Sequence, residues 1–311
     1  MFRENDYILA TPSRFPSSQK DKIDEDTRQL DFNYLKYYSL NGLSQMFQLG
    51  LDHYKTEYYR EDRPDGPRKN SETESVGIFI NNQWTLLEGL KMTAGARYNH
   101  YSGRFRTDTR KVFESGKYWI NGDSEKSEWD NQAYALGMTY SISSMTSFFI
   151  TYATSFRVPN VDEFAESEDS LKPQEGNHAE MGARHWFGDF LSCTVALFDI
   201  RIDDEIYYSD INRNYDDTTI RQGIETDVSL YPLEDLRLWA NYTYTKAEFD
   251  MQNTVIPLVA EHSGAAGMHW QMIKDFSLSL SGTYTGSRYD GNDLQNNRYR
   301  KLDDYFVCDG N

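Results

Sequence analysis

The feature that most constrains this chain is an alternation of apolar and polar residues that recurs along much of the sequence. Between residues 276 and 285, Phe276, Leu278, Leu280 and Tyr284 fall on one face, whereas serines and threonines dominate the other. A period of two is that of a β-strand, because successive side chains point to opposite faces. The chain is therefore predicted to be all-β. The same period occurs at residues 47–52, 90–99, 147–157, 220–230 and 236–245.

One stretch, residues 191–208, alternates less cleanly than the others. Val195 and Leu197 share a face with Asp199 and Arg201, so that face is neither consistently apolar nor consistently polar. We expect a β-bulge or a half-buried strand at this place.

The connections between the strands are alternately short and long from about residue 40 to residue 300. This order is typical of an antiparallel up-and-down barrel in an outer membrane, with short periplasmic turns and longer external loops. A Greek-key sandwich does not predict it. The short turns lie near Asn41–Gly42, Glu88–Gly89, Ser143–Ser144, Gly188–Asp189, Glu234–Asp235 and Lys274–Asp275. The long polar segments are 61–74, 103–131, 159–177, 209–217, 250–262 and 287–300.

Counting the segments gives about thirteen strands, many of them longer than the roughly 9–11 residues that a tilted strand needs to cross hydrocarbon. In a transmembrane barrel one face of each strand meets lipid and the other meets the watery lumen. We therefore expect the apolar face to point outward and the polar face to line the lumen. The expected outward set is Ile150, Tyr152, Leu238, Tyr242, Leu278 and Leu280, and the expected inward set is Thr151, Asn241, Thr243, Ser279 and Thr283.

Composition agrees with a barrel and excludes several other classes of protein. The 23 Tyr, 17 Phe and 6 Trp suit aromatic girdles at two membrane interfaces. No run of 18 apolar residues exists, which excludes a helical membrane protein. The net charge of -17 argues against a nucleic-acid partner. Cys193 and Cys308 fit no zinc or redox spacing and are interpreted as small residues on strands.

A series of short motifs resembles the TonB-dependent receptors of bacterial outer membranes. The run SFRVPNVDE at residues 155–163 resembles that family's S-F-R-x-P-x-x-D-E signature, and LKPQE at 171–175 follows it. Further matches are GIE at 223–225, ANYTYT at 240–245 and IPLV at 256–259, although Ala260 stands where proline is commoner. GSRY at 286–289 and LDDY at 302–305 complete the series. The order and spacing of these motifs over about half of the chain make the resemblance specific.

The resemblance implies that residues 1–311 are an incomplete portion of a receptor barrel, which has about 22 strands in a full member of the family. The family's plug domain, TonB box and last strands are expected to lie outside this sequence, and residues 1–27 are expected to be a polar loop. We expect the chain by itself to leave two unpaired edges, near residues 28–40 and 301–309, which hydrocarbon does not tolerate. The chain alone is therefore not expected to form a closed barrel.

The function that the resemblance implies is TonB-dependent uptake of a scarce nutrient across the outer membrane. The ligand would be an iron–siderophore complex, vitamin B12 or another corrinoid, or a similar compound. The TonB–ExbB–ExbD system would drive uptake through the plug, and outer-membrane lipid would surround the barrel. No cofactor is expected.

The motif residues are interpreted as mainly architectural. Arg157 ends a strand on the lumen side, Pro159 begins the loop and Pro173 begins the return strand, because proline cannot donate to a ladder. Arg157 and Glu175 are expected to organise the loop rather than to contact a ligand. The full architectural set is Phe156, Arg157, Pro159, Glu163, Pro173, Glu175, Gly223 and Glu225.

Ligand contacts are expected from external loops that carry aromatic and arginine side chains, which suit an iron chelate or a corrinoid through stacking and charge. The alternative is that these residues belong to an interfacial aromatic girdle. The candidates are Tyr118, Trp119, Tyr207, Tyr208, Arg213 and Tyr215.

Catalysis and metal binding have no sequence support. There is no nucleophile elbow, zincin motif, P-loop or Cys–His zinc spacing, and the six histidines are scattered. Haem is disfavoured, since no histidine lies between Pro159 and Leu171. The remaining alternatives are a passive pore, an outer-membrane enzyme of unidentified mechanism, or a fragment without a function of its own.

Overall fold

The chain folds into one large antiparallel sheet whose strands follow one another in sequence order. The computed structural model describes residues 2–11, 19–61, 66–113, 116–165, 167, 171–291 and 293–310. The strands are β1 (Phe2–Thr11), β2 (Gln19–Leu40), β3 (Leu43–Glu61), β4 (Arg68–Leu87), β5 (Leu90–Phe113), β6 (Gly116–Ile120), β7 (Ser124–Ser141), β8 (Thr146–Arg157), β9 (Gln174–Phe187), β10 (Leu191–Asp203), β11 (Ile206–Ser209), β12 (Ile211–Asn214), β13 (Thr219–Leu233), β14 (Leu236–Phe249), β15 (His262–Ile273), β16 (Phe276–Thr285) and β17 (Tyr305–Gly310). A one-turn helix, α1, spans Val161–Ala165.

The topology is that of an up-and-down barrel wall that is not closed. The main sheet has 15 strands, from β1 at one edge to β17 at the other; β6 pairs only with the end of β5, and β11 and β12 form a separate hairpin. Each strand pair in the main sheet is antiparallel. β1 does not pair with β17 among the described residues. The prediction of an all-β, antiparallel, incomplete barrel is confirmed.

All six predicted short turns separate consecutive long strands. The turn between β2 and β3 consists of Asn41 and Gly42, whose φ angles of 52° and 80° are both positive. This is the hairpin turn whose twist matches that of the flanking strands, and Asn-Gly is its preferred sequence. At the β4–β5 turn Gly89 has φ 81°, and a Cβ there would lie 2.5 Å from the carbonyl oxygen of Ser141. Glycine is therefore required at that turn on two grounds.

The two faces of the sheet are those that the alternation predicts. Ile150 lies between Met138 and Met181 in a cross-strand row, and all three side chains are exposed on the apolar face. The predicted outward residues Tyr152, Tyr242 and Leu280 are also exposed on this face, whereas Leu238 and Leu278 are half-buried. Thr151, paired with Gly137 and Glu180, lies on the opposite, polar face. The described residues pack no second sheet against the apolar face, as expected of a surface that meets lipid.

The strands extend much further than the sequence indicated, and this corrects the predicted loops. Segment 103–131 was predicted to be a loop, yet β5 continues to Phe113 and β7 begins at Ser124. Segment 1–27 was also predicted to be a loop, yet it contains β1 and the start of β2. With 24 residues, β5 is roughly 80 Å long, more than it needs to cross the about 30 Å of hydrocarbon. Beyond the membrane both faces meet water, so apolar alternation ends while backbone pairing continues.

Of the two alternatives expected within residues 191–208, the β-bulge is wrong, whereas the half-buried strand agrees with β10, most of whose side chains are half-buried. β10 pairs with β9 and with β13 without a register shift from Leu191 to Ile202. The irregular alternation arises because the outward face changes from apolar at Leu197 to charged at Asp199, which binds Arg201 at 3.1 Å. The register shifts of the sheet occur instead beside short turns, between Thr85 and Leu87, Leu230 and Leu233, and Gln271 and Ile273.

Two smaller points complete the fold. No helix among the described residues is long and apolar enough to span a bilayer. Cys193 on β10 and Cys308 on β17 are both free thiols and lie on strands.

Candidate functional site

Two connections at the end of the sheet away from the short turns, those after β8 and β10, pack on the polar, lumen-lining face. The first of them follows β8, where Asn160 precedes α1. The Asn160 side-chain oxygen accepts from the Glu163 amide at 2.9 Å, and the Glu163 carboxylate accepts from the Asn160 amide at 2.8 Å. This reciprocal pair is a capping box, and it fixes where the helical turn begins.

Arg157 anchors this loop to the end of β8. Its guanidinium donates to both carboxylate oxygens of Glu163, at 2.9 and 3.0 Å, and its Nε donates to the side-chain oxygen of Gln174 at 2.8 Å. Pro159, which lies between Arg157 and Glu163 in the sequence, is fully buried. Glu175 is exposed on β9 opposite Phe156, so the contacts at the base of the loop come from Gln174 and not from Glu175.

Asp162 of α1 joins the loop to two cations on distant strands. Its Oδ1 atom lies 2.9 Å from Arg60 Nη1 and 3.9 Å from Lys69 Nζ. Arg60 on β3 and Lys69 on β4 are direct cross-strand partners. The side chain of Lys69 is only 5% exposed. Two like charges in this position repel each other, so the carboxylate between them stabilises both.

Phe164 of α1 completes an aromatic stack on the lumen wall. Its ring lies 4.1 Å from that of Phe105 on β5 and 5.5 Å from that of Trp129 on β7, and Trp129 in turn stacks on Tyr101. Phe105, Phe164 and Leu171 form a buried cluster, against which Trp129, Val161 and Ile206 also pack. Stacked aromatic pairs of this kind stabilise a contact beyond the area that they bury.

The loop between β10 and β13 packs onto the β8–β9 connection. The amide of Lys172 donates to Asn214, whose side-chain amide donates back to the carbonyl of Lys172 at 3.1 Å. Asn212 donates to the carbonyl of Glu163, and the Ile206 amide donates to the side chain of Gln174. The two connections therefore pack together as one folded layer over this part of the lumen face.

A second cluster of rings lies between the β10–β13 connection and the end of β14. Tyr207 and Tyr215 stack with ring centroids 4.0 Å apart, and Tyr215 meets Phe249 edge to face at 4.8 Å. Below them Glu205 accepts both guanidinium N–H groups of Arg221, at 3.0 and 2.8 Å. Burial, and secondarily the negative charge of Glu205, raises the pKa of Tyr215 to about 12. Tyr215 therefore remains a neutral packing residue at physiological pH.

The six predicted ligand residues lie in two groups. Tyr118 and Trp119 lie on β6. The guanidinium carbon of Arg68 lies 3.7 Å from the centroid of the Trp119 ring. Trp119 is the cross-strand partner of Arg110, and both side chains lie on the face opposite to α1. Tyr207 and Tyr215 are engaged in the ring cluster described above. Tyr208 and Arg213 are exposed on the two strands of the β11–β12 hairpin. Their role in ligand binding stays a prediction.

Further down the lumen face the wall is charged and hydrogen-bonded. Glu180, Arg184, Glu225 and Asp227 line one pocket of the wall, together with hydroxyl-bearing side chains. Gly223, on the same face as Glu225, leaves room for the ring of Phe198, whose Cζ would lie 2.6 Å from a Cβ there. Among the described residues, no group of three or more histidine, cysteine, aspartate or glutamate side chains could hold a metal ion.

The residues that connect α1 to the wall escaped the sequence analysis. Lys69, Phe105 and Trp129 belong to segments interpreted as polar loops, where periodicity was weak, and Arg60 directly precedes one of these segments. One signal could have placed Trp129, namely the even or odd number of residues that separates it from a residue of known face on the same strand. Trp129 is an even number of residues from Gly137, which pairs with Thr151, so both lie on the lumen face.

Comparisons with known proteins agree with this architecture. The family model described as "TonB dependent receptor-like, beta-barrel" matches residues 2–311. An uncharacterized TonB-dependent receptor of Haemophilus influenzae is 26% identical over 179 residues, which are 56% of this chain and 49% of that protein.

Two solved receptors share the fold over 99% of this chain. The ferric-catecholate import receptor Fiu from K12 E. coli superposes with a TM-score of 0.77 at 17% identity, and 53% of it is covered. The siderophore receptor PiuA from Acinetobacter baumannii superposes with a TM-score of 0.76 at 14% identity, and 54% of it is covered. The chain thus spans about half the length of these relatives.

Proposed function

Because the chain belongs to the TonB-dependent receptor family through its β-barrel domain, we propose that the protein takes up an iron chelate across the outer membrane in a TonB-dependent step. The observation that carries this proposal is the match of the family model over residues 2–311. The barrel domain of this family lies in the outer membrane, and so does this chain. The family consists of receptors and transporters and not of enzymes.

The choice of an iron chelate rests on the named cargoes of the structural neighbours. They include import receptors for ferric catecholate, a siderophore receptor and a ferric citrate transporter. At identities of 13–17% these likenesses concern the fold, so the cargo is our proposal. A corrinoid is the alternative ligand.

The lumen wall is suited to a passage that is filled and regulated rather than open. Glu180, Glu225 and Asp227 present carboxylates to the lumen, and the folded connections after β8 and β10 cover part of its mouth. In our proposal the whole receptor holds a plug against this wall, and the TonB–ExbB–ExbD system acts on the plug. A passive pore would need no such partner.

Uptake in cells tests this function. The full-length gene product would be expressed in a Gram-negative host that lacks its own siderophore receptors, with TonB present or deleted. Radioactive iron would be supplied as ferric catecholate, ferric citrate or a ferric hydroxamate, and labelled cobalamin would serve as the corrinoid arm. We expect saturable iron uptake that requires TonB. Uptake that persists without TonB would indicate a passive pore, and TonB-dependent uptake of cobalamin alone would replace iron with a corrinoid.

A further inference from the structure

The β11–β12 hairpin lies between two covers of the lumen face. We call the connection between β8 and β9 the first cover; it supplies Phe164 to one buried apolar cluster. The connections between β14 and β15 and between β16 and β17 form the second cover, which supplies Ile256 to another buried cluster. We call residues 204–218 the hairpin segment. It places Ile206 against the first cluster and Tyr215 against the second, so it packs on both covers.

Two asparagine side chains join the hairpin segment to the first cover. The Asn214 side chain accepts from the Lys172 amide at 2.9 Å and donates to the Lys172 carbonyl at 3.1 Å. Asn212, which is 8% exposed, donates to the Glu163 carbonyl at 3.3 Å. If the first cover left the wall without the hairpin segment, the buried amide of Asn212 would lose this partner, and such a loss is costly.

A buried carboxylate joins the hairpin segment to the second cover. Asp217, which is 5% exposed, accepts from the Met251 amide at 3.1 and 3.2 Å and from the Gln252 amide at 3.2 Å. The Thr218 carbonyl accepts from the Asp250 amide at 3.0 Å. If the second cover left the wall without the hairpin segment, this buried carboxylate would lose its backbone donors, which is costly as well.

The second cover behaves as one body because its two connections are bonded to each other. The Asn296 side chain accepts from the Val255 amide at 2.6 Å and donates to the Val255 carbonyl at 2.9 Å. The cover rests on the lumen wall through Ile256, which packs in a cluster with Phe249. Phe249 is an even number of residues from Thr243 on β14, so both lie on the lumen face.

The hairpin segment is stiff between its two interfaces. Tyr207 and Tyr215 stack with ring centroids 4.0 Å apart, and β11 pairs with β12 along its whole length. The Tyr215 amide donates to the Glu205 carbonyl at 2.9 Å. The Glu205 carboxylate binds Arg221 on β13, so the segment is also anchored to the wall. A displacement at one interface is therefore transmitted to the other.

We propose that the hairpin segment couples the two covers, so that they leave the lumen face together. Separate opening of either cover breaks one of the two buried interfaces, whereas joint movement about the Glu205–Arg221 anchor retains both. This half of the barrel mouth thus has one closed and one open arrangement, and both covers bias the same equilibrium. This inference goes beyond the proposed function, because it concerns how the lumen is uncovered and holds for any cargo.

Amide hydrogen exchange of the full-length receptor, purified from outer membranes, tests the coupling because it measures local opening. The Phe164 amide, which donates to the Asn160 carbonyl at 3.1 Å, reports on the first cover. The Ile256 amide, which donates to the Ala247 carbonyl at 3.0 Å, reports on the second cover. The Tyr231 amide, which is hydrogen-bonded beside the short turn between β9 and β10, reports on global unfolding.

The first variant, Asn296→Ala, loosens the second cover without changing a residue of the hairpin segment or of the first cover. We expect exchange at Ile256 to accelerate about tenfold, since the two bonds between the connections of this cover are lost. Exchange at Phe164 should accelerate about fivefold through the coupling. Exchange at Tyr231 should not change.

The reciprocal variant, Trp129→Leu, weakens the contact of Phe164 with the wall. It should accelerate exchange at Phe164 and, through the coupling, at Ile256, because a coupling free energy acts equally in both directions. Asn81→Ala is the matched control for Asn296→Ala, since it also removes a side-chain amide, in this case one that is hydrogen-bonded within the lumen wall. The control should change exchange at neither reporter.

The double variant Asn212→Ala/Asn214→Ala removes the bonds between the hairpin segment and the first cover. In this background Asn296→Ala should still accelerate exchange at Ile256, whereas exchange at Phe164 should change by less than about twofold. Loss of the distant effect while the local effect remains assigns the coupling to the hairpin segment.

The inference is overturned if Asn296→Ala accelerates exchange at Ile256 and leaves Phe164 unchanged, or if its effect on Phe164 persists in the double variant. It is also overturned if exchange at Tyr231 accelerates to the same extent, because the reporters would then follow global unfolding. Heat-modifiable migration shows which variants are folded, and Trp129→Leu replaces Asn296→Ala if the latter does not fold. These outcomes leave the proposed function intact, whereas the absence of all TonB-dependent uptake would refute the proposed function.

Discussion

Arg97 and Asp52 form a two-point ion pair across the lumen face of the sheet, with Nη1–Oδ2 and Nη2–Oδ1 distances of 2.8 and 2.7 Å. Asp52 lies on β3 and Arg97 on β5, so the pair spans the intervening strand β4. Gly77 lies between them, and a Cβ at Gly77 would lie 2.2 Å from Arg97 Nη2. The absence of a side chain at this one position lets the two charges meet.

The first prediction concerns the asymmetry of this pair. The Asp52 side chain is 7% exposed and that of Arg97 32% exposed. Arg97→Gln leaves a buried carboxylate without its main donor and should lower the stability of the folded barrel by about 1–3 kcal/mol. The double variant Arg97→Gln/Asp52→Asn should lose less than Arg97→Gln alone, because no buried charge remains unpaired. The free energy of unfolding can be measured by urea titration of the full-length receptor, with the folded fraction read from the heat-modifiable band on a gel. Equal losses of this free energy in the single and double variants would contradict the prediction.

The second prediction concerns Gly223. A Cβ there would lie 1.9 Å from the carbonyl oxygen of Tyr244 on the neighbouring strand and 2.6 Å from Phe198 Cζ. Gly223→Ala should therefore destabilise the barrel by about 1–3 kcal/mol through overpacking. Adding Phe198→Leu should restore little, since the backbone contact remains. Full recovery in the same urea assay would show that the ring alone was responsible.

The third prediction concerns Asp293, in the connection before β17. It is 1% exposed and accepts from the amides of Asn297, Arg298 and Tyr299 at 3.0–3.1 Å. Burial alone would raise the pKa of this carboxyl, but the backbone hydrogen bonds outweigh burial and hold the pKa below its ordinary value of 3.8. Because the folded pKa is depressed, the charged form stabilises this connection above pH 3.8 and the stabilisation is lost as pH falls through the folded pKa.

Hydrogen exchange at residues 297–299 checks this expectation. After correction for the intrinsic pH dependence of exchange, protection should be constant from neutral pH to about pH 4 and fall only in stronger acid. Asp293→Asn should lower protection at neutral pH and remove the acid transition. A transition that persists in Asp293→Asn would assign it to another carboxyl group.

The fourth prediction concerns Tyr215. Its pKa of about 12 lies above the ordinary value of 10.0, chiefly because the phenol is buried. The folded protein thus retains a proton that the unfolded chain releases, so this residue's contribution to stability is complete below pH 10 and lost between pH 10 and about 12. Ionisation of the phenol can be followed by phenolate absorbance at about 295 nm. The difference in this absorbance between the wild type and Tyr215→Phe isolates Tyr215. A midpoint near pH 10 would show that the ring is solvated.

The alternation and the turn residues alone were sufficient to predict which face of each strand meets lipid and where the sheet turns. Period-two alternation in 276–285 is sufficient because side-chain direction in a strand depends only on local backbone geometry. Asn41–Gly42 likewise specifies its turn through its own φ angles. The family motif around Arg157 and Pro159 also lies in one short segment, so the end of β8 and the start of the loop could be predicted.

The extent of the strands and the partners of α1 depend on contacts between distant segments, and they could not be predicted from local sequence. β5 continues to Phe113 because pairing with neighbouring strands supplies its hydrogen bonds in water, and no apolar alternation records that pairing in the sequence. Asp162 and Arg60 are 102 residues apart, and their contact exists because antiparallel strands align β3 beside β4 while the β8 loop folds over both. Charge and ring composition in a loop do not specify such a contact, since it depends on cross-strand register and on which distant side chains share the lumen face.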